Sequence, residues 1–510
     1  MAHLVVVGMP GVGKSALAHA LAEVRGVTAL DTDDLVDEMT GRSVQEWIRV
    51  EGEAAFREVE ADALERALTE DVVVATGGGT LTSSRSRELL VGQPVLWLDA
   101  DVDTLLTRLD ETDRPLLEGD PRTRLSELAD ARRSLYAEAA TWTLSGAQSL
   151  DALVPRVDAL LTPSMTRRVE LGERSYDVVI ARGARHRLAG LLSRSAPRAR
   201  RAALLTTASL RVQPWFDLST GLETVVIEVP DGEAAKTFST LEQVCEQLAH
   251  AGLSRHDVVV SVGGGAVCDL AGFVAAIYLR GVGVAHVATT LLAQVDAAVG
   301  GKTAVDLAAG KNLVGAFHQP LGVLCDLEVL DTLPEREWRS GWGEVVKCAL
   351  LEGRDDVTPD EPAALVDLAV DLKARIVSSD EREGAQRALL NYGHTLAHAI
   401  EALALERDPD ELRHGEAVGV GLAFAARLAL RLGRIEATRV EHVDEILTRF
   451  GLETRLKEFD TEEILSYMAR DKKAHHDLTF VLDGPRGVEV VSGVDVGVVR
   501  ATLEAMKGER

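Results

Sequence analysis

Short runs of apolar, often β-branched residues alternate with segments of helical periodicity over the first two thirds of the chain. Residues 1–164 contain such runs at Leu4–Val7, Val27–Leu30 and Val72–Thr76. Further runs follow at Val178–Ile180, Ala203–Leu205, Val225–Val229, Val258–Val262 and Val284–Val287. Strands that alternate with helices are typical of parallel sheets, so the pattern predicts an α/β fold class in both regions.

The hydrophobic pattern changes at two places along the chain. Pro163 lies in a short polar stretch that ends a helical pattern, which predicts a domain boundary near residue 164. From Glu335 to Lys507 the periodicity is mainly helical. We therefore expect three units, residues 1–164, 165–333 and 334–510, with a ligand-binding cleft between the last two.

Composition and charge narrow the class of protein. The chain has 510 residues and a formal net charge of −26, which argues against nucleic-acid binding because that needs clustered Lys and Arg. No apolar run reaches the roughly 18 residues of a membrane helix, and the first residues lack a basic signal-peptide start. The four cysteines show no CxxC or short disulfide pattern. These features predict a soluble, cytoplasmic protein that acts on small molecules.

A candidate phosphate-binding loop follows the first apolar run. Gly8–Ser15 has the sequence GMPGVGKS, which fits GxxxxGK[ST] between a predicted strand and a predicted helix. Backbone amides around Gly11 and Gly13 can hold phosphates at the start of the helix. Lys14 can reach the β- and γ-phosphates, and Ser15 can bind Mg²⁺. The loop therefore predicts an ATP site.

Polar residues downstream of the loop indicate a phosphate acceptor. Asp31 and Asp33 end the second apolar run, and Gly77–Gly79 follows the third. Carboxylates at the end of a parallel strand lie where such sheets bind ligands. The remaining candidates are Arg57, Arg114 in the polar segment 113–117, and Arg132.

Taken in this order, residues 1–164 resemble shikimate kinase. The resemblance implies that Lys14 and Ser15 serve ATP and Mg²⁺, and that Asp33 accepts a hydroxyl proton. It implies that Arg114 is a lid arginine on the transferring phosphoryl group, which suits a reaction that depends on positioning and charge neutralisation. The residues it assigns to shikimate are Asp33, Arg57, Gly78 and Arg132.

Glycine-rich and charged motifs mark the second α/β region. Ser261–Asp269 follows a predicted strand and begins a helix, an arrangement that places pyrophosphate on helix amides. Asp231–Lys236, Thr289–Thr303 and Gly310–Asn312 add further glycines and charges. Each motif alone is compatible with a simple turn. Together they favour phosphate or dinucleotide binding.

The helical region carries a candidate metal site. His394 and His398 are four residues apart, so on a helix they share one face. A metal bound by this pair needs a third ligand, which either His414 or Glu344 can supply. Three protein ligands leave a coordination position open for substrate.

These motifs give residues 165–510 a resemblance to 3-dehydroquinate synthase. The resemblance implies bound NAD⁺, a divalent metal (Zn²⁺ or Co²⁺) and a seven-carbon keto-sugar acid phosphate as substrate. It separates the two histidines of the pair, because it gives the metal to Glu344, His394 and His414 and makes His398 a proton shuttle. The NAD⁺ contacts that it implies are Asp231, Gly232, Glu233, Lys236, Gly265, Asp269, Thr289, Thr290, Lys302, Lys311 and Thr332. The substrate-binding or catalytic residues that it implies are Asp296, Lys302, Asn312, Lys347, Lys373, Arg387, Asn391 and one of Lys472 or Lys473.

Lysine usage supports a strongly anionic substrate. Only ten of the 55 basic residues are lysine, and most of these lie in the motifs described above. Compact ammonium groups suit a ligand that carries both phosphate and carboxylate. The resemblances imply phosphorylation of shikimate to shikimate 3-phosphate and cyclisation of 3-deoxy-D-arabino-heptulosonate 7-phosphate to 3-dehydroquinate. They also imply a homodimer formed through the synthase half.

Each half is compatible with an alternative function, and three residues depart from the patterns of the two families. The second half is also compatible with a related sugar-phosphate cyclase or a metal-dependent polyol dehydrogenase, and the first half with a silent nucleotide-binding module. Ala16 and Ala18 stand where kinases of this family commonly have Thr and Gly, which predicts weaker nucleotide binding. Asp306 stands where the synthases often have Asn and adds a negative charge near the pocket.

Overall fold

The computed structural model describes residues 3–108, 120–308, 310–382, 384, 386–407, 411–456, 459–470 and 478–507. Its first unit is a five-stranded parallel sheet in the order β2-β3-β1-β4-β5. The strands are β1 Leu4–Gly8, β2 Thr28–Asp31, β3 Val72–Ala75, β4 Val95–Asp99 and β5 Trp142–Ser145. The helices are α1 Lys14–Arg25, α2 Thr32–Thr40, α3 Val44–Val50, α4 Glu53–Ala67, α5 Ser84–Leu89, α6 Val102–Arg108, α7 Pro121–Ala139 and α8 Leu150–Leu160.

The first sheet forms because its central strands are apolar on both faces. Every residue of β1 and β3 is buried, as expected for parallel strands covered by helices. β1, β2 and β3 are neighbours in the sheet, so the loops that follow them meet at one edge. That edge carries the predicted phosphate-binding loop, Asp31 to Asp33, and Gly77–Gly79.

The second unit is a seven-stranded sheet in the order β6-β7-β14-β11-β10-β8-β9. All neighbours pair in parallel except β6 and β7. Its strands are β6 Met165–Val169, β7 Tyr176–Ala181, β8 Arg201–Thr207, β9 Glu223–Val229, β10 Val258–Gly263, β11 Gly283–Ala288 and β14 Gly322–Asp326. A separate hairpin joins β12 Lys302–Leu307 to β13 Gly310–Phe317. The helices are α9 Leu188–Ser195, α10 Ala208–Arg211, α11 Phe238–His250 and α12 Gly265–Ile277.

The third unit is helical and contains one further hairpin. Its helices are α13 Glu335–Leu351, α14 Pro362–Ser379, α15 His394–Arg407, α16 His414–Arg431, α17 Ala437–Arg449, α18 Thr461–Arg470 and α19 Val496–Met506. The hairpin joins β15 Leu478–Gly484 to β16 Gly487–Val494. Phe480 and Leu482 of β15 are buried in the same apolar core as Leu396 of α15 and Phe424 of α16.

The structure bears out the fold class and adds elements to it. All five apolar runs of the second region lie in parallel strands, as the pattern predicts. The short polar stretch at Pro163 is followed at once by an edge strand, because Met165–Val169 pairs antiparallel with β7. Among the residues that the structure describes, no helix combines the length and apolarity needed to cross a bilayer. The four cysteines are free, and three of them are buried.

Candidate functional site

The loop between β1 and α1 is shaped to hold phosphate. Gly13 is the N-cap residue of α1, with a φ of 101°, and as a glycine it has no side chain that could cap the amides of the first turn. Those amides point at the position where an anion is stabilised at a helix start. Lys14 is buried, and its Nζ donates to Met9 O at 3.1 Å. Ser15 Oγ donates to Asp31 Oδ2 at 2.6 Å, which places a hydroxyl and a carboxylate beside the loop for Mg²⁺.

Asp33 lies in an acidic environment next to this loop. Its backbone N–H donates to Asp31 Oδ1 at 2.9 Å, so the two carboxylates share the turn that begins α2. Burial raises the pKa of Asp33 to about 6, and the nearby charges of Asp31 and Glu60 raise it further than Lys14 and Arg57 lower it. A carboxyl group with this pKa is ionised at neutral pH and is still basic enough to accept a proton.

The arginines predicted to bind shikimate converge on the Gly77–Gly79 loop. Arg57 pairs with Glu60 Oε2 and Glu53 Oε1, both at 2.7 Å, and a Cβ on Gly79 would lie only 1.9 Å from its Nη2. Arg132 Nη1 donates to Gly78 O at 2.9 Å. The guanidinium groups therefore lie directly against the glycine backbone. A side chain at Gly79 would clash with Arg57. Arg114, the predicted lid arginine, lies outside the described residues.

Three helices bring together a metal-binding donor set in the third unit. Glu344 lies on α13, His394 begins α15, and His414 begins α16. Glu344 Oε1 is 3.3 Å from His394 Nε2 and 3.2 Å from His414 Nε2, and all three donor atoms lie within 4.8 Å of one another. One carboxylate and two imidazoles are a typical donor set for Zn²⁺. The sequence left either His414 or Glu344 as the third ligand, and in the structure both lie close enough to His394 to share one metal ion.

A second layer of contacts fixes the two imidazoles. His394 Nδ1 faces Tyr392 O at 3.1 Å, and His414 Nδ1 faces Glu401 Oε2 at 3.1 Å. Burial alone would lower the pKa of His414, but its hydrogen bonds to Glu344 and Glu401 raise it to about 10. The pocket therefore favours a cation, so the residues present fit a divalent metal.

Glu401 is a functional candidate that sequence reasoning left without a role. It is seven residues after His394 and three after His398, so helical spacing already places it on the same face of α15. Its Oε1 accepts from Lys311 Nζ of β13 at 2.8 Å. Glu401 therefore connects the metal-binding helices to the hairpin of the second unit.

His398 is separate from the donor set. Its ring centroid is 5.2 Å from that of His394 and 6.3 Å from that of His414, and the side chain is exposed. The three histidines are neighbours, but only His394 and His414 join Glu344 in the cluster of donor atoms. An exposed imidazole beside the cluster can exchange protons with a bound substrate.

Buried cations surround the donor set. Lys347 forms an ion pair with Glu344, and Lys373 Nζ donates to the carboxylate of Asp296. Arg387 Nη2 donates to Gly300 O at 3.0 Å. Burial lowers the pKa of Lys373 despite Asp296, and the charges of Lys347 and Arg387 lower it as well, so the three cations lie near one another.

The remaining predicted substrate residues divide into two groups. Lys302 begins β12, Asn391 ends the 3₁₀ turn Arg387–Asn391, and both side chains are exposed. Lys472 and Lys473 lie outside the described residues.

Most of the predicted NAD⁺ contacts border the carboxyl ends of β9, β10 and β11. Gly265 begins α12 directly after β10, and Gly232–Ala235 forms a 3₁₀ turn that follows β9. Asp231 Oδ1 accepts from Ser209 Oγ at 2.6 Å, and Thr290 Oγ1 accepts from Ala293 N at 3.1 Å. The Thr289 hydroxyl is buried and has no hydrogen-bond partner among the described residues. A buried hydroxyl that lacks a hydrogen-bond partner, next to the start of a helix, is suited to bind a polar ligand such as a dinucleotide.

Polar and charged residues of the β12–β13 hairpin contact the predicted NAD⁺-binding residues. Lys236 Nζ donates to Asp269 Oδ2 at 2.7 Å and also to Asn312 Oδ1. Lys311 Nζ lies 3.2 Å from Glu233 Oε1. Burial raises the pKa of Asp269 to about 6, although Lys236 lowers it. The hairpin thus holds two of the predicted NAD⁺-binding lysines in place.

Asp306, the departure from the common Asn, has partners in this hairpin. Its Oδ1 accepts from Asn312 N at 2.7 Å and lies 3.9 Å from Lys236 Nζ. Asn312 has a φ of 56°, a left-handed conformation that this contact supports. The carboxylate therefore caps the hairpin turn.

Comparisons with known proteins agree with the two halves. A shikimate kinase family model matches residues 10–158. Models for the N-terminal and C-terminal parts of 3-dehydroquinate synthase match residues 226–340 and 341–474.

Curated relatives match the second half. A 3-dehydroquinate synthase of Nitrobacter winogradskyi is 42% identical over 368 residues, which is 66% of this chain and 95% of that protein. A protein of Amycolatopsis mediterranei, provisionally named an aminodehydroquinate synthase, is 47% identical over 339 residues, or 66% of this chain and 93% of that one.

Solved structures show the same fold for the second half. A 2-deoxy-scyllo-inosose synthase in complex with carbaglucose-6-phosphate, NAD⁺ and Co²⁺ matches with a TM-score of 0.60 and 23% identity, over 67% of this chain and all of that chain. A 2-epi-5-epi-valiolone synthase of Streptomyces hygroscopicus with NAD⁺ and Zn²⁺ matches with a TM-score of 0.56 and 25% identity, over 67% and 99%.

The folds, the two sites and the family models define a P-loop phosphotransferase joined to a two-lobed synthase. The chain belongs to the 3-dehydroquinate synthase family and carries a shikimate kinase domain in front of its synthase half. Its domain content is that of a bifunctional enzyme of the shikimate pathway, with kinase and lyase halves. Both resemblances that the sequence suggests are thereby confirmed.

Proposed function

We propose that residues 1–164 transfer the γ-phosphoryl group of ATP to shikimate, with Mg²⁺. We also propose that residues 165–333 and 334–510 together convert 3-deoxy-D-arabino-heptulosonate 7-phosphate to 3-dehydroquinate with release of phosphate. One observation supports the second assignment above all: the Glu344, His394 and His414 donor set lies beside the buried cations Lys347 and Lys373. A neutral polyol does not need such cations, whereas a substrate with phosphate and carboxylate does.

The synthase residues take defined roles in this proposal. Bound NAD⁺ would supply a reversible hydride acceptor, and Zn²⁺ or Co²⁺ would polarise a substrate oxygen. Glu344, His394 and His414 hold the metal, while Lys347 keeps Glu344 ionised from the other side. Lys373, Arg387, Lys302 and Asn391 bind the anionic groups and hydroxyls, and His398 moves the proton that the loss of phosphate requires.

The kinase residues also take defined roles in this proposal. Backbone amides at Gly11 and Gly13, with Lys14, hold the nucleotide phosphates, and Ser15 contributes to the Mg²⁺ site. Arg57 and Arg132 hold the acceptor carboxylate against Gly78. Asp33 receives the proton of the attacking hydroxyl, for which its pKa of about 6 is suitable.

The test uses the purified full-length chain with each substrate separately. We expect ADP formation that depends on shikimate, and phosphate release from the keto-sugar acid phosphate with NAD⁺ and Zn²⁺. NADH should not accumulate, because the hydride returns in each cycle. No phosphate release would exclude the synthase assignment, accumulating NADH would indicate a dehydrogenase, and no ADP would indicate a silent kinase module.

A second candidate substrate follows from the Amycolatopsis relative. That protein is 47% identical and its name refers to an amino-substituted dehydroquinate. A substrate with an amine in place of one hydroxyl would place a cation next to Lys347 and Lys373, which like-charge repulsion disfavours. A higher kcat/KM for the amino-substituted sugar acid than for the hydroxyl form would show that the amino-substituted compound is the preferred substrate.

We infer that the enzyme acts in the cytoplasm as a homodimer formed through the synthase half. The free cysteines agree with a reducing compartment. Leu307, Leu313 and Phe317 of the β12–β13 hairpin are exposed apolar side chains that a second copy would cover. Light scattering tests this inference, because Leu313→Asp should produce a monomer if the hairpin contributes to the contact.

A further inference from the structure

The kinase and synthase halves pack closely against one another. Ala189 of α9 is fully buried within the apolar core of the kinase domain. A Cβ on Gly190 would lie 2.4 Å from Ala140 O, and the Arg187 guanidinium lies 5.3 Å from the Trp142 ring centroid. Helix α9 of the synthase half therefore covers α7 and the edge strand β5 of the kinase sheet.

A partly buried ion pair crosses this contact. Arg156 of the kinase helix α8 donates to Asp217, and its Nη2 lies 3.2 Å from His186 Nε2. The other oxygen of the Asp217 carboxylate accepts from Arg185 Nε at 3.3 Å. Both side chains of the crossing pair are about one fifth to one quarter exposed, at 24% for Arg156 and 20% for Asp217. The pair is thus partly withdrawn from solvent, where ion pairs couple more strongly than at an open surface.

The charge network continues to the end of strand β14. Arg185 is fully buried and donates to Asp326 Oδ2 at 2.8 Å and to Glu328 Oε2 at 2.9 Å. Asp326 Oδ1 also accepts from Gly183 N at 2.8 Å and Glu328 N at 2.9 Å. These contacts fix the start of the segment 329–332.

A second connection reaches the same segment directly. Trp215 is two residues before Asp217, and its Nε1 donates to Thr332 Oγ1 at 2.8 Å. The Asp217 N–H donates to Trp215 O at 2.8 Å, so the two residues share one tight turn. Thr332 Oγ1 donates in turn to Val329 O at 3.0 Å. The turn formed by residues 215–217 is therefore bound to Arg156 through Asp217 and to Thr332 through Trp215.

We propose that the kinase domain positions the NAD⁺-binding segment 329–332 of the synthase through Arg156, and so sets the affinity of the synthase half for NAD⁺. The inference rests on the proposed assignment of Thr332 as an NAD⁺ contact. Arg156 touches neither ligand; it is a positioning residue that acts through Asp217, Arg185 and Trp215. Loss of Arg156 leaves the Asp217 carboxylate with Arg185 as its remaining cationic partner and loosens the turn that orients Thr332.

Calorimetric titration of the full-length protein with NAD⁺ tests the proposal. Arg156→Ala should weaken NAD⁺ binding about threefold to thirtyfold, the range expected for coupling through a contact network. Arg156→Gln keeps the side chain out to Cδ without its charge. It should also weaken NAD⁺ binding, and it replaces the alanine variant if that variant folds poorly. Arg182→Ala is the matched control, because Arg182 pairs with Asp331 of the same segment, but both side chains are about half exposed, at 46% and 56%. That exposed pair should change NAD⁺ affinity less than twofold.

The outcomes separate this inference from the proposed function. Wild-type affinity in both Arg156 variants would overturn the coupling, as would an equal loss in Arg182→Ala. Failure of the wild-type protein to bind NAD⁺ would instead overturn the assignment of the NAD⁺ site. Because coupling is reciprocal, NAD⁺ should also slow hydrogen exchange in residues 142–160 of the wild type and not of Arg156→Ala. Unchanged exchange in the wild type would count against the coupling.

Discussion

The two active sites of this chain are built from different parts of their folds. The kinase residues lie on loops at the carboxyl ends of β1, β2 and β3, with arginines from α4 and α7 placed over them. The synthase residues lie mainly on α13, α14, α15 and α16, where Lys347 and Lys373 are buried against Glu344 and Asp296. One site is an edge formed by loops, and the other is an interior formed by helices.

This difference determines how each site responds to change. In the synthase half, removing one charge leaves a buried partner without compensation, so a single substitution disturbs several neighbours. In the kinase half, Lys14 and Arg57 are buried as well, but Ser15 is exposed and Asp33 is only partly buried, so water can replace a lost partner at these two positions. Substitutions there should affect chemistry more than structure.

His414→Ala should have the largest effect. It removes a metal ligand together with the partner of Glu344 and Glu401. We expect loss of bound Zn²⁺ and a fall in synthase turnover of at least about a thousandfold, since several kcal/mol of charge stabilisation is lost. Metal analysis and phosphate release measure this, with shikimate-dependent ADP formation unchanged. His442→Ala, in the same half but paired with Asp355, is the control. Full Zn²⁺ occupancy in His414→Ala would refute the ligand assignment.

Lys14→Ala is the reciprocal change in the kinase half. The ammonium group at the nucleotide phosphates is lost, so kinase turnover should fall about a hundredfold to a thousandfold. Synthase turnover should stay at its wild-type value, because Lys14 Nζ donates to Met9 O within its own loop, far along the chain from the synthase residues. Lys14→Arg tests whether a compact ammonium is required. A parallel loss of synthase activity would mean that the kinase site is as tightly built into the molecule as the metal site.

The sequence predicts the kinase site better than the synthase site for the same reason. Lys14 and Ser15 belong to one contiguous loop, so local pattern alone identifies them. Glu344, His394 and His414 are separated by up to 70 residues, and only the packing of α13, α15 and α16 decides which of them meet. Residue-level reasoning therefore left the third ligand open, and the family resemblance supplied it.

The elements missed by the sequence pattern have local causes. Met165–Val169 is an edge strand with alternating exposure, so its Thr and Arg residues resemble a polar linker. Hairpin β15–β16 follows a long stretch of helical periodicity, and its strands end at Gly484 and begin at Gly487 around a tight turn, so the strand pattern is easily overlooked. Glu401 carried the right helical spacing, but its contacts with His414 and Lys311 arise from tertiary structure.

Glu401→Gln tests how far the helical site depends on its second layer. The amide still accepts a hydrogen bond from His414 Nδ1 but lacks the charge that both His414 and Lys311 meet. We expect Zn²⁺ affinity to fall about tenfold to a hundredfold, measured by competition with a chelator. Glu406→Gln is the matched control, since Glu406 lies on the same helix and is paired with Tyr467. Equal Zn²⁺ affinity in both variants would contradict the role of Glu401.

The pH dependence of the kinase should report on Asp33. Because its pKa is raised to about 6, the carboxyl group is protonated below that pH and cannot accept a proton. The kcat/KM for shikimate should fall on the acid side with an apparent pKa near 6, leaving about a tenth of the activity one pH unit lower. Glu60→Gln removes a charge that raises this pKa, so the acid limb should move to lower pH. An unmoved limb would assign the titration to another group.

Asp306→Asn should have the smallest effect and examines the hairpin next to the NAD⁺ site. The Asp306 carboxylate accepts from Asn312 N and lies 3.9 Å from Lys236 Nζ, with its side chain 20% exposed. An amide oxygen at this position can still accept from Asn312, so the hairpin turn should keep its shape. The lost ion pair is worth at most about 1 kcal/mol at this distance and exposure.

The same substitution removes a negative charge next to the predicted pyrophosphate position. We therefore expect NAD⁺ binding to tighten by no more than about threefold, with at most a small fall in melting temperature, measured by calorimetric titration and thermal unfolding. A tenfold weakening would mean that Asp306 holds Lys236 in its binding position rather than capping the turn. In that case the hairpin would belong with the buried charge pairs of the helical site, where each charge depends on its partner.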